Sequence, residues 1–157
     1  MGLREPLKEC SLPAALEAMG ERWSFLILRA AFNGLAHFEE FQVELGIARN
    51  ILANRLARLV EHGILKRDAL PEDRRRIQYC LTDKGAALLP TMVALRQWGE
   101  RWETRVPAFP VLVDCRDMRP VQQVAVKSHD GRVLEKNDLL WAMPGDIAHD
   151  REMAAAE

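Results

Sequence analysis

The chain is 157 residues long, 48% apolar and 29% charged, with a formal net charge of −1. That apolar content supports a real core and excludes global disorder, and the near-neutral charge excludes indiscriminate coating of nucleic acid. No apolar run approaches the roughly 18 to 20 residues that span a bilayer, and Met1 to Lys8 lack an apolar h-region, so a cytoplasmic chain without membrane contact is expected.

In chain order, Leu12 to Met19 shows helical apolar spacing behind Ser11, a candidate N-cap, and Gly20 ends it. A second helix is predicted from Glu21 to Phe32, stopped by Asn33-Gly34. His37-Phe38 leaves room for one very short strand, followed by a brief helix from Glu39 to Leu45 and a tight connection at Gly46. The best-defined helix runs from Arg49 to His62, with Leu52, Leu56, Leu59 and Val60 as its apolar stripe and Gly63 after its last turn.

From Ile64 the period changes from about 3.6 to 2, which predicts strands at Leu65 to Leu70 and Ile77 to Thr82 joined by the polar loop Pro71 to Arg76. A long helix is predicted from Thr82 to Glu103, kinked or split at Pro90. Beyond Val106-Pro107, Val111 to Val113 and Val121 to Lys127 read as strands, with a hairpin signal at His129-Asp130-Gly131 leading to Val133-Leu134. Residues 149–157 read as a frayed tail. The expected fold is α+β, mainly α, with domain 1–106, a small β-rich ribbon-like appendage over 107–148, and the tail.

Charge is unevenly spread. Residues 49–76 carry eight basic side chains against four acidic ones, a local balance of +4, whereas residues 1–48 carry four basic and seven acidic. Two short helices around a tight turn, the second amphipathic and basic, form a helix-turn-helix candidate whose second helix fits the major groove of double-stranded DNA. Arg49 could reach guanine, Asn50 or Asn54 could pair with adenine, and Ala53 lies beside them; Arg55 and Arg58, further along, suit phosphates. Arg74, Arg75 and Arg76 at the hairpin tip form a wing for the backbone or a narrow minor groove.

No G-x-S-x-G, P-loop or metal-ligand pair occurs, and His37, His62, His129 and His149 are scattered, so no catalytic site, no cofactor and no metal are expected. Cys10, Cys80 and Cys115 are odd in number and widely spaced, which makes a poor disulfide framework.

The run Cys10-x5-Leu16-x2-Met19-Gly20-x-Arg22-Trp23-x2-Leu26-Ile27-Leu28-Arg29 is followed by Phe38-x2-Phe41 and Gly46-Ile47-x2-Asn50-Ile51-Leu52-x2-Arg55-Leu56-x2-Leu59. Then come Gly63-Ile64-Leu65, Tyr79-x-Leu81-Thr82-x-Lys84-Gly85 and Trp98-Gly99-x-Arg101-Trp102. With these residues, about 8–104 of the chain resembles the HxlR-type (DUF24) winged helix-turn-helix regulators of the MarR-like superfamily. The resemblance implies a bacterial cytosolic homodimer that binds a double-stranded DNA operator. It assigns Leu12, Leu16, Leu88, Met92, Leu95, Trp98 and Trp102 to dimer packing on the first helix and a long C-terminal dimerisation helix. Some relatives sense oxidants at the position of Cys10; a thiolate favoured by the helix dipole and a partly buried interface cysteine are both open readings of it.

The appendage looks like the small ribbon that ends some family members, with Cys115 and Pro120 kept and the zinc-knuckle cysteines absent, which predicts a metal-free remnant useful for packing or for a small-molecule site. The function expected is a sequence-specific regulator with a small-molecule or oxidant effector; the alternative is a dimeric interaction module that has lost operator binding.

Overall fold

The computed structural model describes residues 10–71, 73, 75–106, 109–143, 145 and 147. Arg74 of the expected wing and the tail from 149 to 157 lie outside the described residues. The described residues divide into two compact units, a larger one within 14–124 and a smaller one that takes 10–13 together with those described beyond 124.

The larger unit is built on four helices, α1 (Leu12–Met19), α2 (Arg22–Phe32), α3 (Phe38–Leu45) and α4 (Arg49–Glu61), followed by an antiparallel pair, β1 (Leu65–Ala69) and β2 (Ile77–Leu81). Its core takes one face of each helix. Ile27 and Leu28 of α2, Phe41 of α3, and Leu52, Leu56 and Leu59 of α4 are fully buried, with Ile64 and Leu65 closing the base of the sheet. Each such side chain contributes about 1.5–3 kcal/mol of burial, which dwarfs the weak intrinsic preference of eight-residue helices such as α1 and α3.

Two expectations change, and the break expected near Pro90 is present. His37-Phe38 is not a strand: His37 caps α3, and all that resembles a third strand is one bond from the Tyr79 amide to the Ala36 carbonyl at 2.7 Å. A capping box at α3, in which Glu40 reaches back to the amides of Ala36 and His37, competes successfully for that short segment. The helix expected from Thr82 to Glu103 is split into α5 (Asp83–Ala86) and α6 (Leu89–Gly99), with Pro90 in the first turn of α6. A missing amide costs nothing there, which is why the proline sets the break rather than a kink. A π-helical turn, Glu100–Thr104, extends α6.

The second change concerns the appendage. Instead of strands at Val111 to Val113 and Val121 to Lys127, it has isolated bridges, Val113 with Pro120 in the larger unit and Lys127 with Val133 in the smaller, and a 3-10 turn at Lys136–Asp138. Most of its apolar side chains, Val111, Val126, Leu140 and Trp141 among them, are exposed. Alternating apolar residues without a surface to bury against do not propagate a ladder.

Candidate nucleic-acid interface

Helix α4 has a fully buried leucine face, and the exposed side opposite carries Asn50, Ala53, Asn54 and Ala57. At its first residue, exposed Arg49 holds its guanidinium 4.9 Å above the Phe38 ring, a cation–π contact that steadies a long side chain at the helix entrance. The N-cap residue Ala48 offers no side-chain acceptor, so the first-turn amides of α4 lack a side-chain cap beside Arg49.

Arg55 and Arg58 are placed differently. Arg55 pairs with Glu21 ahead of α2, and Arg58 pairs with the carboxylate of Glu17 on α1 and donates to the Glu17 carbonyl at 2.8 Å. Both guanidiniums are thus turned to the protein's own acids, and they tie α4 to the helices before it.

The C-terminal end of α4 is fastened to the second strand. Gly63 takes φ +65, the left-handed turn after the helix. The Thr82 hydroxyl donates to the Gly63 carbonyl at 2.6 Å and accepts from the Gly85 amide at 3.1 Å. Lys84 Nζ donates to the His62 carbonyl at 2.7 Å, satisfying a helix-end acceptor with a positive charge. The Thr82-x-Lys84-Gly85 run therefore joins α4 to the wing. In the sequence Thr82 marks the passage from the second strand to the next helix; the signal for a joint with α4 is a threonine, lysine and glycine crowded directly after a strand.

The wing continues the ladder one step beyond the strands, with the Leu70 amide bonded to the Arg76 carbonyl at 2.9 Å. Asp73 Oδ1 accepts from the Arg75 amide at 3.0 Å and its carbonyl from the Arg76 amide at 2.9 Å, turning the tip back on itself. Arg75 and Arg76 are exposed, and among the described residues neither has an ion-pair partner. On β1, Lys66 is engaged by Asp68 at 3.1 Å, which raises its pKa, while Arg67 beside it has no ion pair among the described residues.

Of the apolar residues expected at a dimer contact, Leu12 and Leu16 on α1 and Leu95, Trp98 and Trp102 on α6 and its π-helical turn are each at least half exposed. Leu88 and Met92 instead pack against the protomer's own core. Cys10 is a half-buried free thiol just before α1, as is Cys80 on β2, and Cys115 is exposed. Among the described residues no group of three or more His, Cys, Asp or Glu could hold a metal ion, and no helix is long and apolar enough to cross a membrane.

The family described as HxlR-like helix-turn-helix matches residues 18–107. The Mycobacterium tuberculosis HTH-type transcriptional regulator Rv3095 is 42% identical over 101 residues, 64% of this chain and 64% of its own length. The crystal structure of PA1607, a candidate transcription factor, is 40% identical with a TM-score of 0.80 and covers 87% of this chain and 96% of its own. That match reaches beyond the matched family segment into the appendage. The Bacillus subtilis HTH-type transcriptional regulator YodB is 30% identical over 92 residues, 58% of this chain and 82% of its own length; its diamide-treated crystal structure aligns with a TM-score of 0.50.

Proposed function

This chain belongs to the HxlR-like helix-turn-helix family, and on that premise we propose that it is a transcriptional regulator that binds an operator as a homodimer. One observation carries the reading. The side of α4 that faces away from the leucine core bears Asn50 and Asn54, with Arg49 at the helix entrance, and the exposed Arg75 and Arg76 rise from the adjoining hairpin. Asparagine amides suit the paired donor and acceptor of adenine, and a guanidinium suits guanine. The wing arginines supply affinity without sequence preference.

Arg55 and Arg58 act in this reading as struts for α4 rather than as phosphate contacts, because their charges already meet Glu21 and Glu17. Two copies meet through Leu12, Leu16, Leu95, Trp98 and Trp102, whose exposure is costly in a lone protomer. A two-fold pair sets the two α4 helices about one turn of DNA apart. Regulation comes from a small molecule or an oxidant, with Cys10 as the thiol an oxidant would reach.

Selection of bound fragments from random duplexes by the purified protein tests the reading. A palindromic consensus is expected. Recovery of no sequence above background overturns operator binding and leaves the dimeric interaction module in its place.

A further inference from the structure

Helix α6 is used on three sides. Met92 turns to the core, Leu95 and Trp98 to solvent, and Val93, Arg96 and Gln97 to the ribbon of residues 109–124. At about 100° per residue the ribbon side lies across the helix from Leu95 and Trp98. The ribbon is pinned there: Arg96 donates to the Pro110 carbonyl at 2.6 Å, Gln97 Nε2 donates to the Gln122 carbonyl at 3.1 Å, and Gln97 Oε1 accepts from the Val124 amide at 2.8 Å.

Between helix and ribbon lies a cavity of about 240 Å³ with apolar walls from Val93, Val111, Leu112, Pro120 and Val121. Gln97 and Glu100 stand at its edge and also border an open recess of about 590 Å³ lined by Arg101, Arg105 and Gln123. The charges at this junction are unequal. Glu100 is neutralised by Arg96 at 3.1 Å, whereas Arg101, whose guanidinium lies 5.2 Å over the Trp102 ring, and Arg105 have no ion-pair partner among the described residues. Arg105 is held at φ +54 at the end of the π-helical turn, a conformation and a helix type that both carry strain and concentrate at ligand sites.

We propose that this junction binds a small organic monoacid, its apolar body between Val93, Leu112 and Val121 and its carboxylate at Arg101 and Arg105. Half-exposed apolar walls leading to two guanidiniums that lack a carboxylate partner discriminate for that combination, since an alcohol of the same shape leaves the arginines unanswered. The site names an effector class for the regulator proposed above and rests on that reading only for its consequence on DNA; the binding stands by itself. Leu95 and Trp98 lie on the opposite side of α6, so pairing of two copies through them leaves the apolar wall open, while Trp102 of the proposed seam carries the Arg101 guanidinium over its ring.

Isothermal titration of the full chain with octanoate and benzoate, and with octanol and benzyl alcohol as neutral counterparts, tests the proposal. Saturable binding of an acid, one per chain and about tenfold tighter than its alcohol, is expected from two partly solvated charge contacts. Combined Arg101→Gln and Arg105→Gln, both at exposed positions, should erase that difference. Leu112→Trp should fill the cavity and abolish binding; Val121→Phe replaces it if the circular dichroism of the first variant shows a lost fold. Absence of saturable binding by either acid up to about 10 mM, the range in which a small fragment should register, overturns the site. So does acid binding that survives unchanged in the arginine or cavity variants. Neither failure touches operator binding, which the duplex selection reads separately.

Discussion

A β-carbon on Gly85 would stand 2.2 Å from the carbonyl oxygen of Ile64 and 3.1 Å from the Leu81 side chain. The start of α5 therefore lies against the backbone just beyond Gly63, where Thr82 and Lys84 already hold the carbonyls that end α4. Because the obstacle is backbone rather than a flexible side chain, Gly85→Ala must push α5 away from that turn. A loss of about 3 kcal/mol is expected, the upper end for overpacking a rigid site. Urea denaturation checks it; an unchanged midpoint would show that the junction yields freely.

Asn54→Ala and Asn50→Ala should narrow the difference between the selected operator and unrelated DNA, each by about 1–3 kcal/mol, with little change in binding to unrelated DNA. Competition binding against both duplexes measures this. Equal weakening on the two would remove those amides from base reading.

Arg75→Ala with Arg76→Ala should instead weaken binding to all duplexes and lower the slope of log affinity against log salt by about two. A slope identical to that of the unsubstituted protein would take the wing off the DNA.

Arg58→Gln removes the ion pair and the bond to the Glu17 carbonyl. Since the pair is partly solvent-exposed, the stability loss should be about 1 kcal/mol, and operator preference should persist once folding is allowed for. A salt slope lowered by about one would mean that the guanidinium leaves Glu17 for a phosphate.

Glu40 accepts the amides of Ala36 and His37, both at 2.9 Å. These bonds, first Ala36 and then His37, hold its carboxyl below the ordinary value of 4.5, with smaller pulls from the charges of His37 and Arg76. The group's stabilisation is therefore complete above pH 4.5 and is lost as the pH falls through the depressed value. Glu40→Gln should be less stable than the native chain at neutral pH, and the gap should close as the medium becomes more acid than that. Urea midpoints across the acid range decide it; a gap that widened with acid would reverse the assigned shift.

The helix-turn-helix was legible because α4 states its period in leucines and ends on a glycine, and the wing because Ile77, Tyr79 and Leu81 alternate along β2 behind a polar loop. The winged part of the fold needed nothing beyond local pattern. The partners of Arg55 and Arg58 were not legible for a physical reason: an arginine on a helix looks the same in sequence whether its partner is a phosphate or a distant carboxylate, and Glu21 and Glu17 lie 34 and 41 residues away respectively. Leu88 and Met92 follow the same helical apolar spacing as the exposed leucines and tryptophans, and that spacing alone does not say which of them meets the protomer's own core. The ribbon misread as strands shows the same limit, since alternation describes a surface to be covered without supplying the cover.

Gln97 meets the ribbon as a peptide unit would, one hydrogen bond given and one taken. Its aim depends on helical phase. Adding or deleting one residue between Met92 and Gln97 would swing the amide by about 100° and move it about 1.5 Å along the axis, so both bonds would fail together. This stretch of α6 therefore accepts exchanges of outward side chains far more readily than any change of length, and insertions in descendants of this sequence should gather in the connections instead.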